Sequence, residues 1–496
     1  VKAALVGILT LTIVLSLAFG ADWLWTESVH APVLGSPKLA DMDGDGDLDV
    51  VVQCSDGWIH VLDDDGTSMT GWPVSGGWSS GNPDVFASPA IINLSGGALP
   101  NVLAVHPYGC NGLTASGTAI SPWSGVLSNL FRWHALSSPV TGDFNDDQDN
   151  EYALGRQNFQ TFSNPVNLSV RQNDGTSLWF TQWGSLESVS STPSLCDADA
   201  DGDLELLVVT DYMQYPTDTY GTLYCLNAST GSVKWSTSVG GDFILGAVTA
   251  ANLDGDDALE IIVGASYSSN YIKVLNGSNG NLQYSPLPIS GGTYAGASIA
   301  DVDGNSTLDI VVSSTGGMLY CWDGLTGNSL SGFPVDLDTW TRGGVSIGDI
   351  DLDGELELVM AGRDGKLYAV NHDGSMAAGF PITVSSNPLS GQPALGDIDG
   401  DGKLEILFGE DGNSVVHCYQ LADNSAFTYL PWPQFQRDAR NTGAVELDTT
   451  IPEPPTDFDG TGSLSSGVLV RDYPILFLRG HPDSRITLRS LNRGYF

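Results

Sequence analysis

Seven times along this chain a nine-residue stretch returns in which acidic or amide side chains stand at positions 1, 3, 5 and 9. An eighth, degenerate copy begins at Asn93, so the starts fall at residues 41, 93, 143, 197, 252, 301, 349 and 397, spaced by 48 to 55 residues. A repeat of that length is a supersecondary unit too small to bury its own apolar face, so the units must pack side by side. Each opens on a short apolar strand (residues 36–40 or 392–396) and passes through the acidic stretch into a β-branched run (48–52 or 259–263). A third strand follows, as at 223–226, 319–322 and 367–370. Turn pairs such as Asp65-Gly66, Thr230-Gly231 and Asp373-Gly374 then precede a fourth, outer strand. No part of this body sustains an apolar period of 3.6 residues, which excludes a helical repeat. The expected fold is all-β: a β-propeller of eight four-stranded blades, with seven as the alternative number, over residues 31–445.

The loop at Asp397, Asp399, Asp401 and Glu405 is the clearest copy, with Gly402 at position 6. Alternate residues of a tight loop point the same way, so the side chains at 1, 3 and 5 converge and the carboxylate at 9 closes the cage. An all-oxygen set of this kind suits Ca²⁺, whereas zinc wants His or Cys. The same scheme reads Asp41, Asp43, Asp45, Asp49; Asp197, Asp199, Asp201, Glu205; and Asp349, Asp351, Asp353, Glu357, all with Gly at position 6. Asn252, Asp254, Asp256, Glu260 has Asp257 there, Asp301, Asp303, Asn305, Asp309 has Ser306, and Asp143, Asn145, Asp147, Glu151 has Gln148. Weaker binding is expected in those three, and none at Asn93. Asp and Gly favour turns without any ion, but a simple turn needs no convergent carboxylates in seven copies.

Charge supports the same reading. Eighteen basic residues face 59 acidic ones, 31 of them inside the seven stretches, for a net charge of −41. Such a field repels nucleic acid and anionic membrane. Up to seven Ca²⁺ ions would move the formal charge to −27 and couple metal binding to folding.

With Asp-x-Asp-x-Asp-Gly-x-x-Asp/Glu in view, residues 31 to 445 resemble the FG-GAP/VCBS-repeat family, the calcium-loop propellers that include the head of integrin alpha chains. The resemblance implies a propeller with calcium at the blade edges. It implies no single activity, because the family spans adhesins, surface binding proteins and polysaccharide lyases.

The ends differ from the body. Lys2, an apolar run over residues 3–19 and Ala18-Phe19-Gly20 read as a signal peptide over residues 1–20, with a retained anchor as the alternative. A short N-terminal segment, 21–30, follows. After the propeller come a Pro-rich linker at 446–455 and a tail, 456–496, of no assigned role. The mature protein is expected outside the cytoplasm, with no membrane span.

Catalytic patterns are weak. Gly344-Val345-Ser346-Ile347-Gly348 matches a nucleophile elbow but falls on the first strand of a blade, aligned with residues 296–300. Residues 227–235 look like a quinoprotein blade motif, but the match is good in one blade only, and the adjacent cysteine pair of many such enzymes is absent. Cys225, Cys321 and Cys418 share one strand position and read as buried, while Cys54, Cys110 and Cys196 are candidates for pairing. The elements Gly71-Trp72-Pro73, Gly332-Phe333-Pro334, Gly379-Phe380-Pro381 and Pro431-Trp432-Pro433 are expected to pack neighbouring blades together. Twelve basic residues lie between 31 and 445, with no visible cluster. The leading expectation is a non-catalytic binder of a glycan, a surface protein or copies of itself. A calcium-dependent polysaccharide lyase and a subunit of an extracellular filament are the alternatives. Aromatic-rich stretches at His106 to Ser138, with Trp123 and Trp133, and at Asp211 to Tyr220 are the candidate contact loops.

Overall fold

The computed structural model describes residues 22–75, 85–93, 99–106, 109–120, 137–155, 167–183, 187–212, 221–240, 246–264, 270–421, 430–438 and 440–445. The signal segment, the tail, Trp123, Trp133 and residues 213–220 lie outside them. The described strands form eight sheets and no helix, so the protein is an eight-bladed β-propeller. Blade 6 shows the plan: Ser298–Ala300, Asp309–Ser313, Met318–Asp323 and Val335–Asp336, each antiparallel to the next. In blade 6 the first two strands, Ser298–Ala300 and Asp309–Ser313, are buried along their whole length. Each sheet is covered by a neighbour on both faces, which is why these strands read as unbroken β-branched runs rather than as alternating ones.

Buried hydroxyls link successive blades. Gln392 N donates to Ser36 Oγ (2.8 Å), Ser36 N to Ser88 Oγ (2.8 Å), Ser88 N to Ser138 Oγ (2.9 Å) and Ser138 N to Thr192 Oγ1 (3.0 Å). Further out, aromatic N–H groups reach across the blade interface: Trp72 Nε1 to Ala115 O, Trp179 Nε1 to Ala228 O and Trp235 Nε1 to Gly277 O, each at 2.7 Å. The Trp235 ring lies on Gly280, where a Cβ would come within 2.6 Å of it. The quinoprotein-like stretch at 227–235 is therefore a blade-to-blade lock.

Two segments depart from the sequence expectation. Asp22–Ser28 is the outer strand of blade 8, antiparallel to Val415–Gln420, so the N-terminal segment joins the propeller and closes the ring. The second departure is at the other end. Residues 430–438 and 440–445 run around the inside of the ring and hydrogen-bond to the inner parts of seven blades. Ile347 N donates to Trp432 O (2.9 Å) in blade 7 and Leu395 N to Pro433 O (2.9 Å) in blade 8. Leu39 N in blade 1 donates to Gln434 Oε1 (3.3 Å). Asn441 Nδ2 donates to Pro89 O (3.2 Å) and Pro139 O (2.8 Å), leading into the inner strands of blades 2 and 3. Leu195 N donates to Thr442 O (3.1 Å) in blade 4, and Ala444–Val445 pairs in parallel with Thr249–Ala251 of blade 5. Inner strands facing an axis would otherwise leave backbone groups without partners. Pro431-Trp432-Pro433 thus belongs to this axial plug and not to a blade edge; Trp432 is 1% exposed.

The plug is held by a charge the sequence did not single out. Lys38 is fully buried, and its Nζ donates to Phe435 O and Asp438 O (2.6 Å to the latter). Burial pulls its pKa down to about 7, with Asp438 acting in the opposite direction. All six cysteines are buried and none is in a disulfide, so Cys54, Cys110 and Cys196, the candidates for disulfide formation, do not form one.

Candidate metal centres

All seven acidic stretches connect the inner strand of a blade to its second strand, and all seven share one bond between positions 2 and 9. The residue at position 2 turns into the core: Met42, Phe144, Ala198, Leu253, Val302, Ile350 and Ile398 are each at most 3% exposed. Its backbone N–H donates to the carboxylate at position 9. The distances are 2.6 Å to Asp49, 2.8 Å to Glu151, 2.9 Å to Glu205, 2.8 Å to Glu260, 2.7 Å to Asp309, 2.8 Å to Glu357 and 2.8 Å to Glu405. Position 1 accepts from the N–H of position 6 in five loops: Gln148 to Asp143, Gly202 to Asp197, Ser306 to Asp301, Gly354 to Asp349 and Gly402 to Asp397. In the other two, position 4 supplies the donor instead: Gly44 to Asp41 and Gly255 to Asn252. Position 5 accepts from position 7, as in Asp203 to Asp201 (3.0 Å) and Glu355 to Asp353 (2.9 Å).

The sequence pointed to position 6 as the site of the sharp turn, and six of the seven residues there have positive φ, including Gln148 (70°) and Ser306 (71°). Position 4 is left-handed in all seven loops, through Gly44, Asp146, Ala200, Gly255, Gly304, Leu352 and Gly400. Four of these are Gly, which carries no Cβ penalty in that conformation. The loop with Asp257 at position 6 makes its left-handed turn at Gly255 (80°) only.

Convergence of the carboxylates follows. Oxygens of Asp197, Asp199, Asp201 and Glu205 lie within 4.8 Å of one another, as do those of Asp41, Asp43 and Asp49, of Asp143, Asp147 and Glu151, and of Asp254, Asp256 and Glu260. Burial pushes the position-9 carboxyl up, to about 7 in Asp49, Glu151, Glu205, Glu260 and Asp309 and to about 8 in Glu357 and Glu405, against the lowering effect of its backbone N–H. One oxygen of Glu151, Asp199, Glu260, Asp309 and Asp349 is buried with no hydrogen-bond partner. Native structures seldom leave such groups unsatisfied. An all-oxygen cage with a leftover buried carboxylate oxygen fits Ca²⁺; in the first loop the gathered oxygens are those of Asp41, Asp43 and Asp49, without Asp45. In the degenerate copy, position 9 is Asn101, buried and neutral.

Two features were not visible in the sequence. Lys234, on the outer strand Val233–Ser238, reaches into the blade 4 loop, with Nζ 2.6 Å from Asp199 Oδ2, 2.7 Å from Asp201 Oδ2 and 3.0 Å from Glu205 Oε1. Burial opposes its charge, but these three carboxylates outweigh burial and hold the pKa well above the usual lysine range. The second feature is a basic cluster. Arg342 lies over Phe86 (4.7 Å) and Tyr294 (5.9 Å), and Arg363 over Trp340 (4.7 Å). Both guanidinium groups approach Asp411 Oδ2, at 3.6 and 2.7 Å. These residues sit in connections between second and third strands or from an outer to the next inner strand. In an antiparallel blade, such connections lie on the face opposite the acidic loops.

Residues 349–408 match the FG-GAP-like repeat family, so the chain carries an FG-GAP-like repeat in a β-propeller. Among curated proteins none matches the sequence. Solved structures share the fold. The quinohemoprotein alcohol dehydrogenase from Comamonas testosteroni is 13% identical, with 91% of this chain and 79% of that chain covered and a TM-score of 0.57. A europium-containing methanol dehydrogenase is 11% identical, over 81% and 93%, with a TM-score of 0.55. The V. cholerae biofilm matrix protein Bap1 is 17% identical, over 86% and 96%, with a TM-score of 0.43. At such identities the first two likenesses are of fold alone, and the third is too slight to add to them.

Proposed function

We propose that this chain is a calcium-stabilised propeller that works outside the cytoplasm by binding a glycan or surface protein, without catalysis. The observation that carries this reading is the pairing of two features. Seven loops share one oxygen-lined geometry at one face, while the inner parts of seven blades, facing the axis where a propeller could house a substrate, are hydrogen-bonded to the protein's own residues 430–438 and 440–445. Calcium, when bound, would neutralise the convergent carboxylates; Asp and Glu at position 9 would anchor it to the second strand.

The lyase reading needs a free base beside the metal. Among the described residues, the Lys side chains that touch an acidic loop, Lys234 and Lys403, are both ion-paired to its carboxylates. The half-buried group Tyr294, Trp340, Arg342 and Arg363 on the opposite face offers a stacking surface with cationic edges, suited to a sugar ring bearing a carboxylate. A glycan array probed with calcium-loaded protein tests this. Retention of acidic glycans that falls about two- to thirtyfold in Trp340→Ala, without product formation, is expected, since stacking of this kind contributes roughly 0.5–2 kcal/mol. Product release that stops on chelation would establish the lyase instead, and concentration-dependent self-association would favour the filament subunit.

A further inference from the structure

We propose that the Lys234 ammonium is the resident cation of the loop at residues 197–205, so that in the wild-type protein this loop carries its own counter-ion and takes no divalent ion. The proposal rests on the calcium reading of the other loops. By sequence this is one of the most complete copies, with carboxylates at all four ligand positions and Gly202 at position 6. In the structure its Nζ stands 2.6, 2.7 and 3.0 Å from oxygens of three of those four ligands. An ammonium has three donors, and here each meets a different carboxylate. A calcium ion would sit 2.3–2.6 Å from the same oxygens, so the two cations compete for one place.

The blade register shows how specific this is to blade 4. Asn227 N donates to Ser232 O in the turn before Lys234; the matching turn bonds in the other blades place a counterpart two residues on from each acceptor. These counterparts are Met69, Ile120, Leu178, Gln283, Leu330 and Ala377 in blades 1, 2, 3, 5, 6 and 7. Five are apolar, and Ala377 lies in the core while Met69, Ile120, Leu178 and Leu330 pack against it. Gln283 donates from Nε2 to Asp254 Oδ2 of its own loop, showing that a polar side chain at this position reaches the ligands. Only in blade 4 does that reach bring a full positive charge. The effect on the cage can be read from the position-9 oxygens: Glu260 Oε1 and Asp309 Oδ1 have no partner, whereas Glu205 Oε1 accepts from Lys234, and the oxygen left over in this loop is Asp199 Oδ1. Lys403 differs, because it belongs to its own loop at position 7 and pairs at 2.9 Å with Asp401 alone among the ligands.

Native mass spectrometry with Ca²⁺, and thermal melts in chelator, test this on the full chain as wild type, Lys234→Met and Gln283→Lys. Lys234→Met is expected to bind one more Ca²⁺ than wild type, and Gln283→Lys one fewer. In chelator, Lys234→Met is expected to melt about 3–10 °C below wild type, because three carboxylates lose their cation, and added Ca²⁺ is expected to restore it. Equal stoichiometry in wild type and Lys234→Met, or no change in melting in chelator, would overturn the proposal. If none of the three proteins bound Ca²⁺, the calcium reading would fall while the melt in chelator still decided the role of Lys234.

Discussion

The axis and the rim of this propeller handle buried charge in opposite ways. At the axis, the buried cation Lys38 donates to backbone carbonyls of residues 435 and 438, and Arg437 donates to that of Ala444. At the rim, carboxylates are gathered in seven loops, and in several an oxygen of the cage is left over. Lys234 is the point where the two solutions meet, an internal cation placed in a rim loop. The axis draws its contacts from the chain itself, with the amide oxygen of Asn441 left over, whereas at the rim the oxygens left over are carboxylates, which an ion would take.

The largest effect separating them should come from chelation. An ion at 100 times its dissociation constant contributes about 2.7 kcal/mol per loop, so removing several should lower the melting temperature by more than about 10 °C. Hydrogen exchange in chelator should show the loop amides opening first, while the inner-strand amides of Thr141, Leu195, Ala250 and Ile347, which donate to the plug, stay protected. Equal loss at both places would merge axis and rim into one cooperative unit.

Next in size is Trp432→Ala, which should cost about 3–5 kcal/mol by leaving a cavity in the plug. Urea titration should give the same loss with calcium and with chelator, within about 0.5 kcal/mol, if the two regions act independently.

The most diagnostic effect is on pH dependence in the metal-free protein. The position-9 acids have folded pKa values near 7 to 8, above their unfolded values of 3.8 and 4.5, so the folded state holds more protons across that window. Stability from these groups is present below about pH 4 and is lost as pH rises toward 8. Lys38 works the other way: its pKa falls from 10.5 to about 7, the folded state holds fewer protons between those values, and stability rises with pH across them. A stability minimum near pH 7 to 8 is expected, and Lys38→Met should remove the rising limb while leaving the falling one. A variant that kept both limbs would show that Lys38 is not the group responsible.

Much of the rim was legible because its determinants are local. Ligand positions, the Gly at position 6 and the blade spacing all lie within one repeat, and Cys225, Cys321 and Cys418 each sit fully buried at the matching strand position. The second left-handed turn at position 4 was harder to see, since Ala200 and Leu352 adopt it without the glycine that would have announced it. Arg342 and Arg363 are 21 residues apart and looked scattered, yet packing brings both to Asp411.

Sequence alone determined that this is an all-β array of blades with acidic loops, because strand patterning, turn chemistry and ligand spacing are written within about fifty residues and repeated. Only the tertiary structure decided how the ring closes and what fills it. Asp22–Ser28 finds Val415–Gln420, and Ala250 N finds Gly443 O, across separations at which no short-range pattern specifies a partner. The partner is selected there by unpaired edge groups that closure of the sheet array leaves facing one another. The same holds for Lys234, whose role depends on a strand register that carries its ammonium back onto a loop about thirty residues earlier.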